Sequence, residues 1–244
     1  GAPFPQKVMS ANAYLGAFPI AAALSAGADI VVTGRCVDSA VTLGPLIHTF
    51  GWSATDYDRL AQGSLAGHLI ECGTQTTGGN YTDWESVPGW DDMGFPIAEC
   101  RADGSFVITK PEGTGGLVCP STVGEQMLYE IGDPRAYILP DVVCDFTGVT
   151  LTQLGPDQVE VKGARGRAPT DQAKVSVTYA DGFRAMSLFM IGGIDAGPKA
   201  HRVGAAMLAR LRRYFAQRGW PDFSETSVEA IGAEDTYGPH ARSN

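Results

Sequence analysis

The chain has 244 residues, of which 44% are hydrophobic and 18% charged, and carries a net charge of −9. Its 31 Gly and 15 Pro are too few for low-complexity disorder, which would need about 25–30% of the chain. The acidic balance excludes an ordinary nucleic-acid binder, because there is no basic excess to displace counterions from phosphates.

The five cysteines, Cys36, Cys72, Cys100, Cys119 and Cys144, are odd in number and scattered, without CxxC or paired histidines. That pattern fits neither a disulfide framework nor a zinc site, so no metal is expected. The amino terminus lacks a basic n-region, and the location expected is cytoplasmic. Val8–Ala28 runs 21 residues without a charge, but Ser10, Asn12, Gly16, Pro19, Ser25 and Gly27 interrupt it. It reads as strand, loop and helix rather than as a membrane span.

Taken in order, Val8-Met9 is a short apolar step followed by a polar loop through Tyr14. Pro19 suits the first turn of a helix over Ile20–Ala26, closed by Gly27. Ile30-Val31-Val32 looks like a strand buried on both faces. Asp38 or Ser39 then caps a helix to about His48. Such alternation is the rhythm of a parallel, Rossmann-like α/β sheet. A further helix spans Asp56–Cys72, with Leu65, Leu69 and Cys72 on one stripe. Thr74–Trp90 is a long loop around Thr77-Gly-Gly-Asn80. Ile97–Arg101 and Ser105–Lys110 form a hairpin about Asp103-Gly104. After the glycine loop Glu112–Gly116, Thr122 with Glu125 suggests a capping box for a helix ending at Gly132.

From Val149 the grammar changes. Val149–Leu154 with Gln158–Lys162, and Val175–Tyr179 with Phe183–Ile191, read as hairpins. Pro198–Arg218 is a long amphipathic helix and Ser224–Ile231 a last strand. Charge shifts at the same place. Residues 1–148 carry 6 Lys/Arg against 17 Asp/Glu, a net of −11, and residues 149–244 carry 12 against 10, a net of +2. The expected organisation is an α/β domain over 1–148 and a small α+β, ferredoxin-like domain over 149–244.

Two constellations carry chemistry. His68 and Cys72, four apart on one helix face, pair an imidazole with a thiol. The plainer reading is a core cysteine beside a structural histidine, because a helix carboxyl terminus disfavours thiolate. The second rests on topology, since ligands of open α/β sheets bind beyond the carboxyl ends of strands. There Asn12, Tyr14, Arg35, Asp38 and Ser39 would meet. Arg35 can clamp an anion and Asp38 can orient it or take a proton, unless Asp38 merely caps a helix and pairs with Arg35. The loops Gly78-Gly79-Asn80 and Gly113-Thr-Gly115-Gly116 offer backbone N–H groups to an oxyanion, with Lys110 adjacent. Plain turns are the competing reading, as neither loop matches a nucleotide motif.

Several motifs in fixed order resemble the acyclic terpene utilisation (AtuA) family: Ser10-Ala-Asn-Ala-Tyr-Leu-Gly16, Thr33-Gly-Arg35 with Asp38, Leu43-Gly-Pro-Leu46, and Gly67-His-Leu-Ile-Glu-Cys-Gly73. Thr77-Gly-Gly-Asn80, Gly94-Phe-Pro-Ile-Ala-Glu99, Gly113-Thr-Gly-Gly-Leu117 and Tyr129-Glu-Ile-Gly-Asp-Pro134 continue the likeness. The resemblance implies bacterial catabolism of acyclic terpenoids, a route through branched acyl-CoA thioesters, and an amino-terminal α/β companion segment. It supplies no catalytic residues.

The expected function is therefore an enzyme on a branched, carboxylated or unsaturated acyl-CoA, performing proton transfer, hydration or carbon–carbon cleavage beside the thioester. CoA enters as part of the substrate, with no separate cofactor. Arg35 holds an anionic group, Asp38 or His68 moves a proton, a glycine loop polarises the carbonyl, and Cys72 lines the site. A non-catalytic assembly subunit and a Cys72–His68 hydrolase are the alternatives. Expected partners are the acyl-CoA, the companion segment and a second copy of the chain, with neither nucleic acid nor membrane.

Overall fold

The computed structural model describes Phe4 and residues 7–242. The chain forms two compact units, Gly1–Ala180 and Asp181–Asn244.

In the first unit, β1 (Val8–Ala13) leads into α1 (Phe18–Ser25), α2 (Ala40–Phe50) and α3 (Tyr57–Ile70). Small residues decide how these helices stack. A Cβ on Gly44 would lie 2.7 Å from Ile20 Cβ, and one on Gly63 would lie 2.8 Å from Leu43 Cδ1. α2 is thereby seated between α1 and α3 at close range. Every residue of α3 from Leu60 to Leu69 is buried, so this helix is the axis of the core. Its one long polar side chain in that stretch besides His68 is consumed internally. The Gln62 amide donates to Val161 O at 3.0 Å and its oxygen accepts from Ala164 N at 2.9 Å.

Around α3 lie β2 (Ile97–Cys100), β3 (Phe106–Thr109), α4 (Pro120–Leu128), β4 (Tyr137–Ile138), β5 (Val143–Asp145), β6 (Thr150–Gly155), β7 (Gln158–Lys162) and β8 (Arg165–Arg167). They form a four-stranded sheet, β2-β3-β7-β6, and a three-stranded one, β4-β5-β8. β9 (Val175–Tyr179) returns to pair with β1 as a two-stranded ribbon.

The parallel, Rossmann-like sheet is corrected. All three sheets are antiparallel. Among the described residues, parallel pairing is confined to single bridges, Leu15–Cys36 and Met93–Gly115. Ile30–Val32 forms no strand, and Ile30 and Val32 are 84% and 92% exposed. An apolar β-branched run needs flanking strands to bond its backbone, and none adjoins it here. The polar Ser10–Ala13 stretch, expected as a loop, is strand. The β6–β7 hairpin, on the far side of residue 148, extends the β2–β3 sheet. The cap of α4 is displaced by three residues. Pro120 sets the first turn, Thr122 Oγ1 accepts from Cys119 N at 3.1 Å, and Glu125 is left to accept from Thr82 N.

In the second unit, α5 (Ala196–Gln217) follows the periodicity read from sequence. It is held by Val228 against Gly204, by Phe215 tilted against Phe223 at 4.8 Å between centroids, and by the His201–Asp235 pair at 3.2 Å. Phe183–Ile191 and Ser224–Ile231, expected as strands, are without regular strand pairing. Phe183, Met186, Leu188 and Met190 stand almost wholly exposed. No helix among the described residues is long and apolar enough to cross a membrane.

Candidate functional site

The Leu15–Cys36 bridge joins the two loops singled out in the sequence. Leu15 N donates to Arg35 O and Val37 N to Leu15 O, both at 3.0 Å. This lays the Arg35 guanidinium against Tyr14, 4.5 Å from the ring centroid, with Nη2 donating to the phenol oxygen at 2.7 Å. The phenol keeps its own proton to donate, and a hydroxyl that already accepts from a cation is a stronger donor. On the same ring sits the Lys174 ammonium, 4.8 Å from the centroid. Asn12 lies two residues back on β1, opposite Ser176.

Asp38 is exposed just before α2, and its negative charge reaches Arg35, Cys72 and Tyr137. The neighbourhood has a local cause. A Cβ on Gly67 would lie 2.8 Å from both Ser39 Cα and Ser39 O, so only glycine lets α3 press against the residue after Asp38. The carboxyl-terminal turn of α3, carrying Glu71 and Cys72, is thus brought beside the Arg35–Asp38 loop.

His68, 2% exposed, is held on both nitrogens. Nε2 lies 2.9 Å from Gln126 O, which only accepts, so Nε2 carries a proton. Nδ1 faces Glu71 Oε1 at 3.1 Å. Gln126 closes the network by donating to His68 O and accepting from Gln75 Nε2, each at 3.0 Å. His68 is therefore a buried brace between α3 and α4. Sequence inspection passed over Gln126 and Tyr137. A usable signal for the first was a glutamine on the buried stripe of α4 with Thr122 and Val123.

Beside this network a cavity of about 400 Å³ is lined by Gln75, Asn80, Thr82, Glu125, Gln126, Leu128 and Tyr129. Burial pushes the Tyr137 phenol up to about 12, with Glu71 adding to the effect. Burial also raises the Cys72 thiol, with Glu71, Glu130 and Asp38 adding repulsion, while a hydrogen bond to Gln126 opposes them. The thiol is thereby kept protonated near neutrality. Iodoacetamide labelling followed by site-resolved mass spectrometry should show Cys72 alkylation rising only above the ordinary thiol range. Cys100 and Cys144, raised to about 11 and about 12 by burial, should lag further. A Cys72 rate that reaches its plateau below pH 8 would contradict this.

The two glycine loops face each other, and Asn80 of the first reaches the cavity wall. Gly115 N donates to Asp92 O, Gly116 N to Pro88 O, and Gly79 N to Thr74 O, all at 2.8 Å. Leu117 N donates to Thr77 O, and a Cβ on Gly78 would lie 2.9 Å from Val87 Cγ2. These glycines serve close backbone approach. Lys110, 7% exposed on its side chain, gives its ammonium to Thr114 O at 2.6 Å and Asp157 at 3.2 Å.

The family model described as acyclic terpene utilisation family protein AtuA matches residues 2–244. The chain belongs to this family. No curated protein and no solved structure matches it. AtuA membership places the chain with proteins of acyclic terpene utilisation, and the family match extends through α5 and beyond the stretch on which the sequence motifs lay.

Proposed function

We propose that this AtuA family member is an enzyme of branched, acyclic acyl-CoA catabolism that moves a proton beside the thioester carbonyl. One observation carries the reading: an exposed carboxylate, Asp38, is near enough to the Arg35–Tyr14 pair, Cys72 and Tyr137 for its charge to act on Arg35, Cys72 and Tyr137. Asp38 takes a proton from the carbon next to the carbonyl, and the electron pair moves onto the thioester oxygen as an enolate. Tyr14 donates its hydroxyl proton to that oxygen in a hydrogen bond, and Arg35 supports the phenol and holds an anionic group of the substrate. Returning the proton to a different carbon gives isomerisation. Adding water to the β-carbon of an α,β-unsaturated thioester, or breaking the Cα–Cβ bond of a β-hydroxy thioester as its hydroxyl proton leaves, generates the same enolate, which is then protonated at the α-carbon.

The Cys72–His68 hydrolase draws little support from a thiol raised by its surroundings and an imidazole committed to Glu71 and Gln126. A non-catalytic assembly role, with a companion segment or a second copy, draws on one observation, the exposed apolar run from Phe183 to Met190.

Arg35→Ala and Asp38→Asn decide the matter. Arg35→Ala is expected to weaken acyl-CoA binding roughly tenfold or more, the worth of a charge-assisted contact. Asp38→Asn should keep binding and lower turnover by about 10²–10⁴. Turnover and affinity unchanged in both variants would sink the reading, and calorimetric titration with acyl-CoA and free CoA supplies the affinities.

A further inference from the structure

The β1–β9 ribbon has two unlike faces. Its register sets Ser10 opposite Thr178 and Asn12 opposite Ser176, and one step on, Tyr14 N donates to Lys174 O. Cross-strand partners share a face and alternate residues keep it. One face therefore carries Ser10, Asn12, Tyr14, Lys174, Ser176 and Thr178, while Ala11, Ala13, Val175 and Val177 fall on the other. The pairing is real at side-chain level, since Ser10 Oγ and Thr178 Oγ1 lie 2.6 Å apart and the Lys174 ammonium lies over Tyr14.

At the Tyr14 end two cations crowd one ring. With the Arg35 guanidinium 4.5 Å and the Lys174 ammonium 4.8 Å from the same centroid, the charges are at most about 9 Å apart. Among the described residues no carboxylate lies within ion-pair distance of either. Both belong to a unit with 10 Lys/Arg against 20 Asp/Glu, so a doubly positive spot stands out in an acidic field. Two like charges on one aromatic ring, with Asp38 acting on Arg35 only from beyond ion-pair distance, form a receptor for one oxyanion.

We propose that Lys174 and Arg35 share one carboxylate beside Tyr14, making the site selective for acyl groups that carry a free carboxylate, with the Asn12–Ser176 and Ser10–Thr178 pairs receiving the amide-bearing arm of the same thioester. The inference rests on the reading of Arg35 above and adds Lys174 as the residue that sets specificity. From Tyr14 to Ser10 the ribbon runs about 13 Å, and its polar face offers partners along the path of an extended pantetheine arm with its two amides and hydroxyl. Asn12 offers a donor and an acceptor, and each hydroxyl offers both.

The test is calorimetric titration of the full chain with glutaryl-pantetheine, butyryl-pantetheine and 4′-phosphopantetheine. The two acyl thioesters differ by the carboxylate. Glutaryl-pantetheine is expected to bind at least tenfold more tightly than butyryl-pantetheine, and Lys174→Gln should remove most of that margin while Lys174→Arg restores it. Asn12→Ala should weaken both acyl probes alike. An unchanged margin in Lys174→Gln would overturn the proposal. So would a Lys174-dependent gain for 4′-phosphopantetheine equal to that for the glutaryl probe, which would assign the cation pair to a phosphate. Lys174 is exposed, so Lys174→Gln should keep the parent thermal transition. Because the readout is affinity, it fails or succeeds separately from the turnover of Asp38→Asn.

Discussion

Gly67→Ala is expected to cost about 2–3 kcal/mol of stability, toward the upper end for overpacking a closed core. The new methyl would meet Ser39 at its Cα and carbonyl oxygen, 2.8 Å from each, and at its Cβ, 3.0 Å away. A flexible side chain swings aside, but backbone does not, so α3 and the start of α2 must separate. Urea unfolding checks the cost as a lower midpoint at unchanged slope. The same separation has a chemical signature. Asp38 would recede from Cys72, removing one of the charges that hold its thiol up. Alkylation of Cys72 should therefore begin at lower pH in the variant than in the parent. A stability loss without that shift would detach the glycine from the site.

His68→Ala is expected to cost more, about 3–4 kcal/mol. The imidazole fills space at the end of α3, with Tyr137 tilted against it at 6.0 Å between centroids. Its removal leaves a cavity and takes away the partner of both Gln126 O and Glu71. His68→Gln should recover part of the loss if its amide reaches Gln126 O. Thermal and urea unfolding of both variants gives the comparison. A loss below about 1 kcal/mol for His68→Ala would mean that water replaces both contacts, and His68 would no longer count as a brace.

The helices were legible because each carries its own period. The stripe of α3 and the run of α5 can be counted along the sequence without knowing what they pack against. Sheets were not, because strand pairing is a relation between distant segments. Nothing near Val8–Ala13 says that its partner is Val175–Tyr179, and nothing in Ile30–Val32 says that no partner comes. The candidate site was half legible. Tyr14, Arg35 and Asp38 were expected to meet at the edge of a parallel sheet, and one parallel bridge brings their loops together where no such sheet exists. The glycine loops show the opposite limit. Composition cannot distinguish a loop whose N–H groups point outward from one whose N–H groups are spent on Asp92, Pro88 and Thr74.

The ribbon also fixes an order of events. Ser10 and Thr178 touch across 168 residues of sequence, so this pairing can form only after Thr178 has left the ribosome. Closing so long a loop is entropically costly and is repaid by only two strands. α1, α2 and α3 can pack through neighbouring contacts long before. The cationic face is then the last part of the unit to assemble and the first to open, and a ligand bridging Arg35 and Lys174 would act as the clasp that keeps it shut.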